Sequence, residues 1–306
     1  KALIPIIHQA DKPVVISVMG ERLIQEAVEH LRAARIPEYR FPERAAAALA
    51  ALVERVDLLK HAAEKPLTRG DVNTALVREI IEKRDKDHHL SAVDTAKILN
   101  AYGITAAKMK LAKTEDEAAE LADELGLPVV LKVASADISH KTDVGGVLLN
   151  LADAKSVRGG FQNILSQAQA ALPGAKLAGV YVQKMVPPGQ EVIIGAVRDP
   201  QFGPIMMFGS GGTEVEGLKD LAFGMAPLTE LEIETMLNKT WAGRKLAGYR
   251  NILPGDISAV EEVLIRLAQL AWDFPELAEI EINPLRVFPA CEGAAAVDVR
   301  MRMVSE

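Results

Sequence analysis

The sequence contains one cysteine, Cys291, among its 306 residues, and only 4% of its residues are aromatic. A single cysteine excludes an internal disulfide and a thiolate metal cluster, which is typical of a reducing compartment, so we expect a cytoplasmic protein. No apolar stretch approaches the roughly 18 residues that a membrane-spanning helix needs, so no contact with a membrane is predicted. The formal net charge of −7 offers no basic surface for nucleic acid.

The composition is that of a globular protein with a sizeable core, with 49% hydrophobic and 25% charged residues. The length exceeds one ordinary domain of about 100–200 residues, so about two or three units are expected. The sequence starts at Lys1 without a methionine and enters an apolar run at once. We interpret it as a fragment or a processed chain.

Local patterns predict an incomplete α/β unit in residues 1–62. A short β-branched run at 12–20 precedes an amphipathic helix at 21–34, and an alanine-rich helix follows at 44–59. One strand and two helices look like the last piece of an α/β domain rather than a whole one. The charged, weakly periodic stretch 63–89 is predicted to be a linker or a spanning helix.

Residues 90–306 are predicted to form a second, complete α/β unit. Ser91 and Thr114 each have an acidic residue three positions later and are predicted to cap two helices. Strands are expected at 128–133, 146–151, 179–186, 191–197 and 205–208, helices at 154–172, 228–237 and 257–272, and a final hairpin from 278–287 and 295–301.

The loop between the first two of these strands carries His140 beside Lys141 and ends at Gly145-Gly146. Imidazole attacks phosphorus well at neutral pH, because one nitrogen is free near its pKa of about 6.5. A polar, cationic loop with glycines suits a phosphoryl group. His140 is therefore a candidate phosphohistidine, although a loop histidine without a role fits the same spacing.

Lys132 interrupts an apolar strand, and burying an unpaired ammonium costs several kcal/mol. Either it meets an anion such as a nucleotide phosphate, or it reaches water at the strand end. Gly209, Gly211 and Gly212 follow another strand, and such a loop can turn backbone N–H groups toward an anion. It lacks the Walker spacing, and a mobile turn is the alternative.

The predicted C-terminal hairpin brings oxygen-bearing side chains together. With its turn at 289–292, Asn283 falls opposite Asp298, and Glu281 shares their face with Arg300. Amide and carboxylate oxygens suit Mg²⁺, which usually also holds nucleotide phosphates. The alternative is a solvated hairpin face.

In this order, these motifs resemble the ATP-grasp region of the ADP-forming (NDP-forming) acyl-CoA synthetases, relatives of the succinyl-CoA synthetase β subunit. The resemblance covers about residues 89–301, and residues 1–62 resemble the end of the succinyl-CoA ligase-like domain that precedes ATP-grasp in fused proteins. It implies an α/β (α+β) fold, with an ATP-grasp domain at 90–306 after a partial flavodoxin-like α/β domain. The ATP-grasp domain would have a small subdomain at about 90–178 and a large one at about 179–306.

The resemblance also implies a role for each candidate residue. The nucleotide would be held by Lys132 at its phosphates, Gln183, Lys184 and Met185 against adenine, Glu191 near the ribose or phosphates, and Gly211, Gly212 and Arg300. Asn283 and Asp298 would bind Mg²⁺, and Glu281 would approach the phosphohistidine His140. The implied cofactors are ATP or ADP and Mg²⁺, with CoA on a domain that this sequence lacks. Implied partners are the nucleotide, acyl-CoA and a carboxylic acid, within a homo- or hetero-oligomer.

Three functions remain open. The first is the ATP-grasp portion of an ADP-forming acyl-CoA synthetase (acyl-CoA + ADP + phosphate = acid + ATP + CoA). This sequence would then catalyse at most the nucleotide half-reaction, because none of its histidines lies in a motif suited to the family's primary catalytic histidine. The second is a non-catalytic nucleotide-binding regulatory region of a protein lysine acetyltransferase, and the third an ATP-grasp ligase that makes an acyl phosphate directly on its substrate. Gly146 and Asn283 keep the active pattern, which favours the first.

Overall fold

The computed structural model describes residues 2–20, 24–61, 64–84, 90–138, 141–212 and 220–304. His140 and residues 213–219, which include the end of the predicted glycine loop, lie outside this set. The chain divides into two compact units, Lys1–Lys65 and Pro66–Glu306. No helix among the described residues is long and apolar enough to cross a membrane.

The first unit has a parallel strand pair with helices around it. Strands β1 (Ile16–Ser17) and β2 (Glu38–Tyr39) pair in parallel, and the helices are α1 (Leu3–His8), α2 (Gln25–Ala33) and α3 (Pro42–His61). Parallel strands joined through α2 agree with the predicted α/β character. Helix α3 begins at Pro42, whose fixed backbone angle and missing N–H suit a first helical turn.

The second unit contains two antiparallel sheets, the smaller with four strands. Its order is β3-β6-β4-β5, with β3 at Met109–Ala112, β4 at Val129–Ala134, β5 at Val147–Leu151 and β6 at Gly179–Lys184. Helices α6 (Glu115–Leu125) and α7 (Ala154–Ala171) bury one face of this sheet. Thr114 caps α6 as predicted, since its hydroxyl accepts the Glu117 N–H at 3.2 Å.

The larger sheet has six strands. They are β7 (Gln190–Asp199), β8 (Gly203–Ser210), β9 (Leu221–Met225), β10 (Leu277–Val287), β11 (Ala294–Ala296) and β12 (Val299–Met303). Their order is β11-β10-β7-β8-β9, and β12 also pairs with β10. Its core face is covered by α4 (Thr74–Glu82), α5 (Ala92–Ala101), α8 (Glu230–Lys239), α9 (Trp241–Leu246) and α10 (Ile257–Asp273).

Chain order alone misplaces some of these elements. Strand β6 pairs with β3 and β4, so the predicted boundary near residue 179 separates it from its own sheet. Helix α5 was assigned to the small subdomain, but its Ile98 and Leu99 are buried in the core of the six-stranded sheet. Helix α4 lies within the predicted linker and buries Val77 in that core. The sequence patterns missed β3, β9 and α9, since elements of four to six residues carry little periodicity.

Arg266 connects segments on both sides of α4 and α5 to helix α10. This arginine is only 9% exposed, and its guanidinium donates to the Tyr102 carbonyl at 2.9 Å, to Glu262 at 2.6 Å and to Asp71 at 2.9 Å. Glu262 also binds Arg69 at 2.6 Å. Hydrogen bonding to Arg266 lowers the pKa of Asp71. The network attaches Arg69, Asp71 and Tyr102 to helix α10, which covers the larger sheet.

We expect Arg266→Met to lower the free energy of unfolding by about 2–4 kcal/mol, because it leaves the buried Tyr102 carbonyl without its donor and removes one of the two arginines that bind Glu262. Lys83→Met is the matched control. It removes a pair with Glu79 in which both side chains are exposed and screened by water, so it should leave the stability almost unchanged. Urea denaturation measures both, and equal losses would show that the Arg266 network contributes no more than a surface ion pair.

Candidate functional site

The open faces of the two sheets meet at the connection between β11 and β12. On β4 and β6, Leu131 and Val182 pack among the helices, so Lys132 and Gln183 point to the opposite face. Both polar side chains are buried all the same, Lys132 at 8% and Gln183 at 1% exposure. The larger sheet covers them.

The carbonyl oxygen of Val297 accepts hydrogen bonds from both polar side chains. Lys132 Nζ lies 3.2 Å from this oxygen, and Gln183 Nε2 donates to it at 3.1 Å. Lys132 Nζ is also 3.7 Å from Asp298 Oδ1. The ammonium is therefore bonded inside the protein and does not reach water at the strand end.

The electrostatics of this cleft favour an incoming anion. Burial lowers the pKa of Lys132; Asp298 opposes the shift, and Lys141 adds to it. A further negative charge would stabilise the ammonium form. Gln183 Oε1 is buried and has no hydrogen-bond partner in the described part of the chain. A buried acceptor without a donor is rare in folded proteins, and here it points to a ligand that donates.

The hairpin has the predicted register. The Asn283 N–H donates to the Asp298 carbonyl at 3.0 Å, and Glu281 lies directly opposite Arg300. No group of three or more His, Cys, Asp or Glu side chains gathers around a metal position among the described residues. One amide and one carboxylate oxygen side by side fit Mg²⁺, which usually takes one or two protein ligands together with phosphates and water.

The two glycines after β8 connect the hairpin to β7. Gly212 N donates to Asn283 Oδ1 at 3.0 Å, and Gly211 N donates to the Glu191 carbonyl at 3.1 Å. A Cβ on Gly211 would lie 2.5 Å from the carbonyl carbon of Val192. Gly212 has φ +67°, and a Cβ there would lie 2.5 Å from Glu191 Oε2. Both positions need glycine, and Gly212 orients the oxygen of Asn283.

Glu191 lies beside these glycines and forms an ion pair with Arg286, its partner across β7 and β10. Sequence reasoning missed Arg286, because strict alternation from Ile280 and Ile282 places residue 286 in the core. The pairing register shifts between Ile282 and Leu285, so Leu285 is buried and Arg286 turns to the face of Glu191. The run of apolar residues at uneven spacing was the available signal.

The Lys184 side chain does not join Gln183 in the cleft. The Lys184 side chain is exposed and lies on the opposite face of β6, where its Nζ would be 3.7 Å from a Cβ at Gly126. Met185 is half-buried, and its N–H donates to the Pro128 carbonyl at 3.2 Å. Lys184 therefore lies outside the cleft, and the predicted contact of Met185 with adenine stays a prediction.

A cavity of about 540 Å³ adjoins the hairpin. Glu281 and Arg300 line it from the hairpin, Tyr181 from β6, and Ser135 and Lys141 from the loop that carries His140. The cavity therefore joins the histidine loop to the face that carries the candidate metal ligands.

Part of the histidine loop is held more firmly than the sequence suggests. The polar composition of 135–143 predicts few buried contacts, but Ile138 is 5% exposed and belongs to the core of the smaller sheet. Asp137 accepts the Lys176 N–H at 2.7 Å. After the residues that are not described, the Lys141 carbonyl accepts the Gly146 N–H at 2.8 Å. Both ends of the loop are therefore anchored.

Comparison with known proteins identifies the family. Residues 82–303 match the model of an ATP-grasp domain. The β subunit of acetate–CoA ligase (ADP-forming) I from Pyrococcus furiosus is 42% identical over 228 residues, which cover 74% of this chain and 97% of that protein. The chain belongs to the ATP-grasp family of ADP-forming acyl-CoA ligases. The predicted family and fold class are thereby confirmed.

A longer ligase and two solved structures extend the comparison. Acetate–CoA ligase (ADP-forming) I of Archaeoglobus fulgidus is 40% identical over 300 residues, covering 96% of this chain but 43% of that protein. The ATP-grasp chain thus spans less than half the length of this relative. A structure of Ca. Korarchaeum cryptofilum acetyl-CoA synthetase 1 with coenzyme A and Ca-AMPCP has a TM-score of 0.69 at 38% identity, covering 76% of this chain and 99% of its own.

The second structure of that synthetase holds coenzyme A and Mg-AMPPCP, with its phosphohistidine segment pointing towards the nucleotide binding site. Its TM-score is 0.65 at 35% identity, and the match covers 74% of this chain and all of that chain, at 100%.

We expect Gly211→Ala to destabilise the ATP-grasp unit by about 1–3 kcal/mol, because its Cβ would overlap the Val192 backbone, which cannot move without distorting β7. Gly159→Ala is the control. A Cβ at Gly159, within α7, meets nothing within 4 Å, so alanine should be neutral or stabilise by up to about 1 kcal/mol. Thermal denaturation compares the two variants, and a Gly211→Ala protein as stable as wild type would contradict the close approach.

Replacing Lys132 by methionine tests the lowered pKa. Between that pKa and the usual lysine value of about 10.4, the unfolded chain keeps a proton that the folded chain releases, so wild-type stability rises with pH. Lys132→Met should lack this gain, and at pH 7 its free energy of unfolding should lie within about 1 kcal/mol of wild type, as for a buried ion replaced by an apolar group. Denaturation curves between pH 7 and 10 measure the difference. Parallel pH dependence in the two proteins would contradict the assignment.

Proposed function

We propose that this chain binds a magnesium nucleotide between its two sheets and transfers a phosphoryl group between the nucleotide and His140. The observation that supports this most directly is the buried Lys132 ammonium, 3.7 Å from Asp298, whose carbonyl accepts the Asn283 N–H. A cation suited to phosphate thus lies beside one of the two residues that we propose for Mg²⁺, and the other is paired with it across the hairpin. Proteins related to this chain are named ADP-forming ligases. A regulatory region of an acetyltransferase, or a ligase that makes an acyl phosphate directly, would not explain those names.

Each cleft residue takes a part in holding the nucleotide. Lys132 binds a phosphate oxygen, and the free Gln183 Oε1 accepts a hydrogen bond from the nucleotide. Asn283 and Asp298 hold Mg²⁺, which when bound neutralises charge on the phosphates. The Gly212 N–H keeps the oxygen of Asn283 in place, as outer hydrogen bonds commonly do for metal ligands.

The transfer step needs alignment more than covalent assistance from other side chains. A ring nitrogen of His140 forms a bond to the γ-phosphorus while the bond from that phosphorus to the bridging oxygen breaks, and ADP leaves. Glu281, in the cavity beside the loop, accepts a hydrogen bond from the other ring nitrogen and holds the tautomer. In the reverse direction phospho-His140 phosphorylates ADP. The phosphohistidine segment of the Ca. Korarchaeum synthetase, pointing towards its nucleotide site, supports this assignment.

The complete reaction, acyl-CoA + ADP + phosphate = acid + ATP + CoA, requires more than these two units. We assign CoA and acid binding to a region that the longer relatives have beyond the span of this chain, or to a partner subunit in a hetero-oligomer. The name of the Pyrococcus furiosus relative, a β subunit, supports such an assembly. We place the reaction in the cytoplasm, where nucleotides and CoA are available.

Incubation with γ-labelled ATP and Mg²⁺ tests the proposal. Wild-type protein should acquire an acid-labile, base-stable label on a stoichiometric scale, and His140→Asn should acquire none, because the acceptor nitrogen is missing. Asn283→Ala combined with Asp298→Ala should abolish Mg²⁺-dependent ATP binding in calorimetry while the protein stays folded.

His88→Asn and His89→Asn serve as controls and should keep the label. Binding of ATP without any label would favour the regulatory region of an acetyltransferase. Label on an added carboxylic acid, with none on the protein, would favour a ligase that makes an acyl phosphate directly. Unchanged calorimetric affinity in the double variant would reject the metal assignment.

A further inference from the structure

We infer that Asp220 is a positioning residue of the nucleotide site, acting through the end of β8 on the Gly211-Gly212 backbone and the amide of Asn283. The inference rests on the proposed function, because it assigns Asp220 the task of holding that site in shape. No motif in the sequence singled out this aspartate.

Asp220 connects the end of β8 to the start of α9. Its Oδ1 accepts the Trp241 N–H at 2.6 Å, and its Oδ2 accepts the Ala242 N–H at 2.9 Å and the Ser210 hydroxyl at 2.8 Å. The Asp220 carbonyl also accepts the Ser210 N–H at 3.3 Å. Ser210 is 1% exposed. Asp220 therefore holds Ser210 twice, by the carboxylate on the serine hydroxyl and by the carbonyl on the serine N–H.

The carboxylate is well suited to this task as an ion. Burial alone raises the pKa of Asp220, but the N–H groups of Trp241 and Ala242 and the Ser210 hydroxyl together bring it below the usual value. Helix α9 does not need Asp220 as its only cap, because the Thr240 hydroxyl accepts the Gly243 N–H at 3.1 Å. The bonds from Asp220 therefore serve to attach β8 to a helix that is already capped.

From Ser210, the connection to the candidate metal ligand is short. The next two residues donate to the Glu191 carbonyl and to Asn283 Oδ1. The backbone at Gly209 is so close to the Asp220 carbonyl that a Cβ there would overlap it. At this close approach the Asp220 carboxylate fixes the Ser210 side chain, and its loss would let the Gly211-Gly212 backbone shift and leave Asn283 without a fixed orientation.

The test measures Mg-ADP affinity by calorimetry and, for self-labelling with γ-labelled ATP, the limiting single-turnover rate constant and the half-saturating concentration of Mg-ATP. Asp220→Ala should weaken Mg-ADP binding at least tenfold and raise the half-saturating concentration by a similar factor, with the limiting rate constant changed less than threefold. Asp220→Asn keeps one acceptor oxygen and should recover part of the affinity. Ser210→Ala should weaken binding by itself, and the Ser210→Ala Asp220→Ala double variant should be no worse than Asp220→Ala alone.

Asp256→Ala is the matched control. Asp256 is also buried and accepts two backbone N–H groups, from Ala259 at 3.1 Å and Gly293 at 2.8 Å, but it has no bond to β8. The Asp256→Ala protein should lose stability while keeping wild-type Mg-ADP affinity.

If both aspartate variants lose affinity equally, or if Asp220→Ala binds Mg-ADP as wild type does, Asp220 is only structural and the inference is wrong. If Asp220→Ala does not fold, Ser210→Ala and Asp220→Asn decide the question by the same criterion. Wild-type protein that fails to bind Mg-ADP would instead overturn the proposed function, and the inference with it.

Discussion

The burial of one ammonium group between two sheets is the constraint on which the site depends. Lys132 comes from the smaller sheet, and its neighbours Val297 and Asp298 come from the larger one. A buried charge with a single carboxylate at 3.7 Å is incompletely compensated, because salt bridges recover desolvation only with close, well-bonded geometry. The folded protein therefore keeps a cation that lacks negative charge, at the place where the two sheets meet. This arrangement lowers the stability of the fold and, under the proposed function, favours the binding of an anion. Such a loss of stability is common at functional sites.

The opposite wall of the site is built by backbone rather than by side chains. Gly211 and Gly212 allow β7, β8 and β10 to approach one another so closely that a single N–H fixes the amide of Asn283. Asp220 secures the same stretch from behind, through Ser210. The two walls therefore act differently. On the smaller sheet, the charge of Lys132 is only partly compensated and favours an anion. On the larger sheet, close backbone contacts hold the oxygen of Asn283 in a fixed position.

Local patterns in the sequence were sufficient where spacing determines structure. The cap at Thr114 and the opposition of Asn283 and Asp298 follow from fixed local geometry, and the structure has both. The patterns failed where contacts are distant in sequence or where a register changes. No local pattern in β6 indicates that it pairs with β3 and β4, and the uneven apolar spacing near Arg286 does not by itself give the register shift that turns it toward Glu191. Asp220 was missed because its partners, Trp241 and Ala242, lie 21 and 22 residues away in the sequence.

The central place of β10 has a consequence for how the site meets its ligand. This strand pairs with β7 on one side and with β11 and β12 on the other, so its amides are enclosed by ladders along both edges. Hydrogen exchange at such amides requires opening of the whole sheet, which makes them among the slowest in a domain. The backbone of Asn283 and Glu281 is therefore ordered before a ligand arrives, and little entropy is lost in ordering it. Strand β4, which carries Lys132, is enclosed by β5 and β6 in the same way, so both sides of the proposed site rest on central strands.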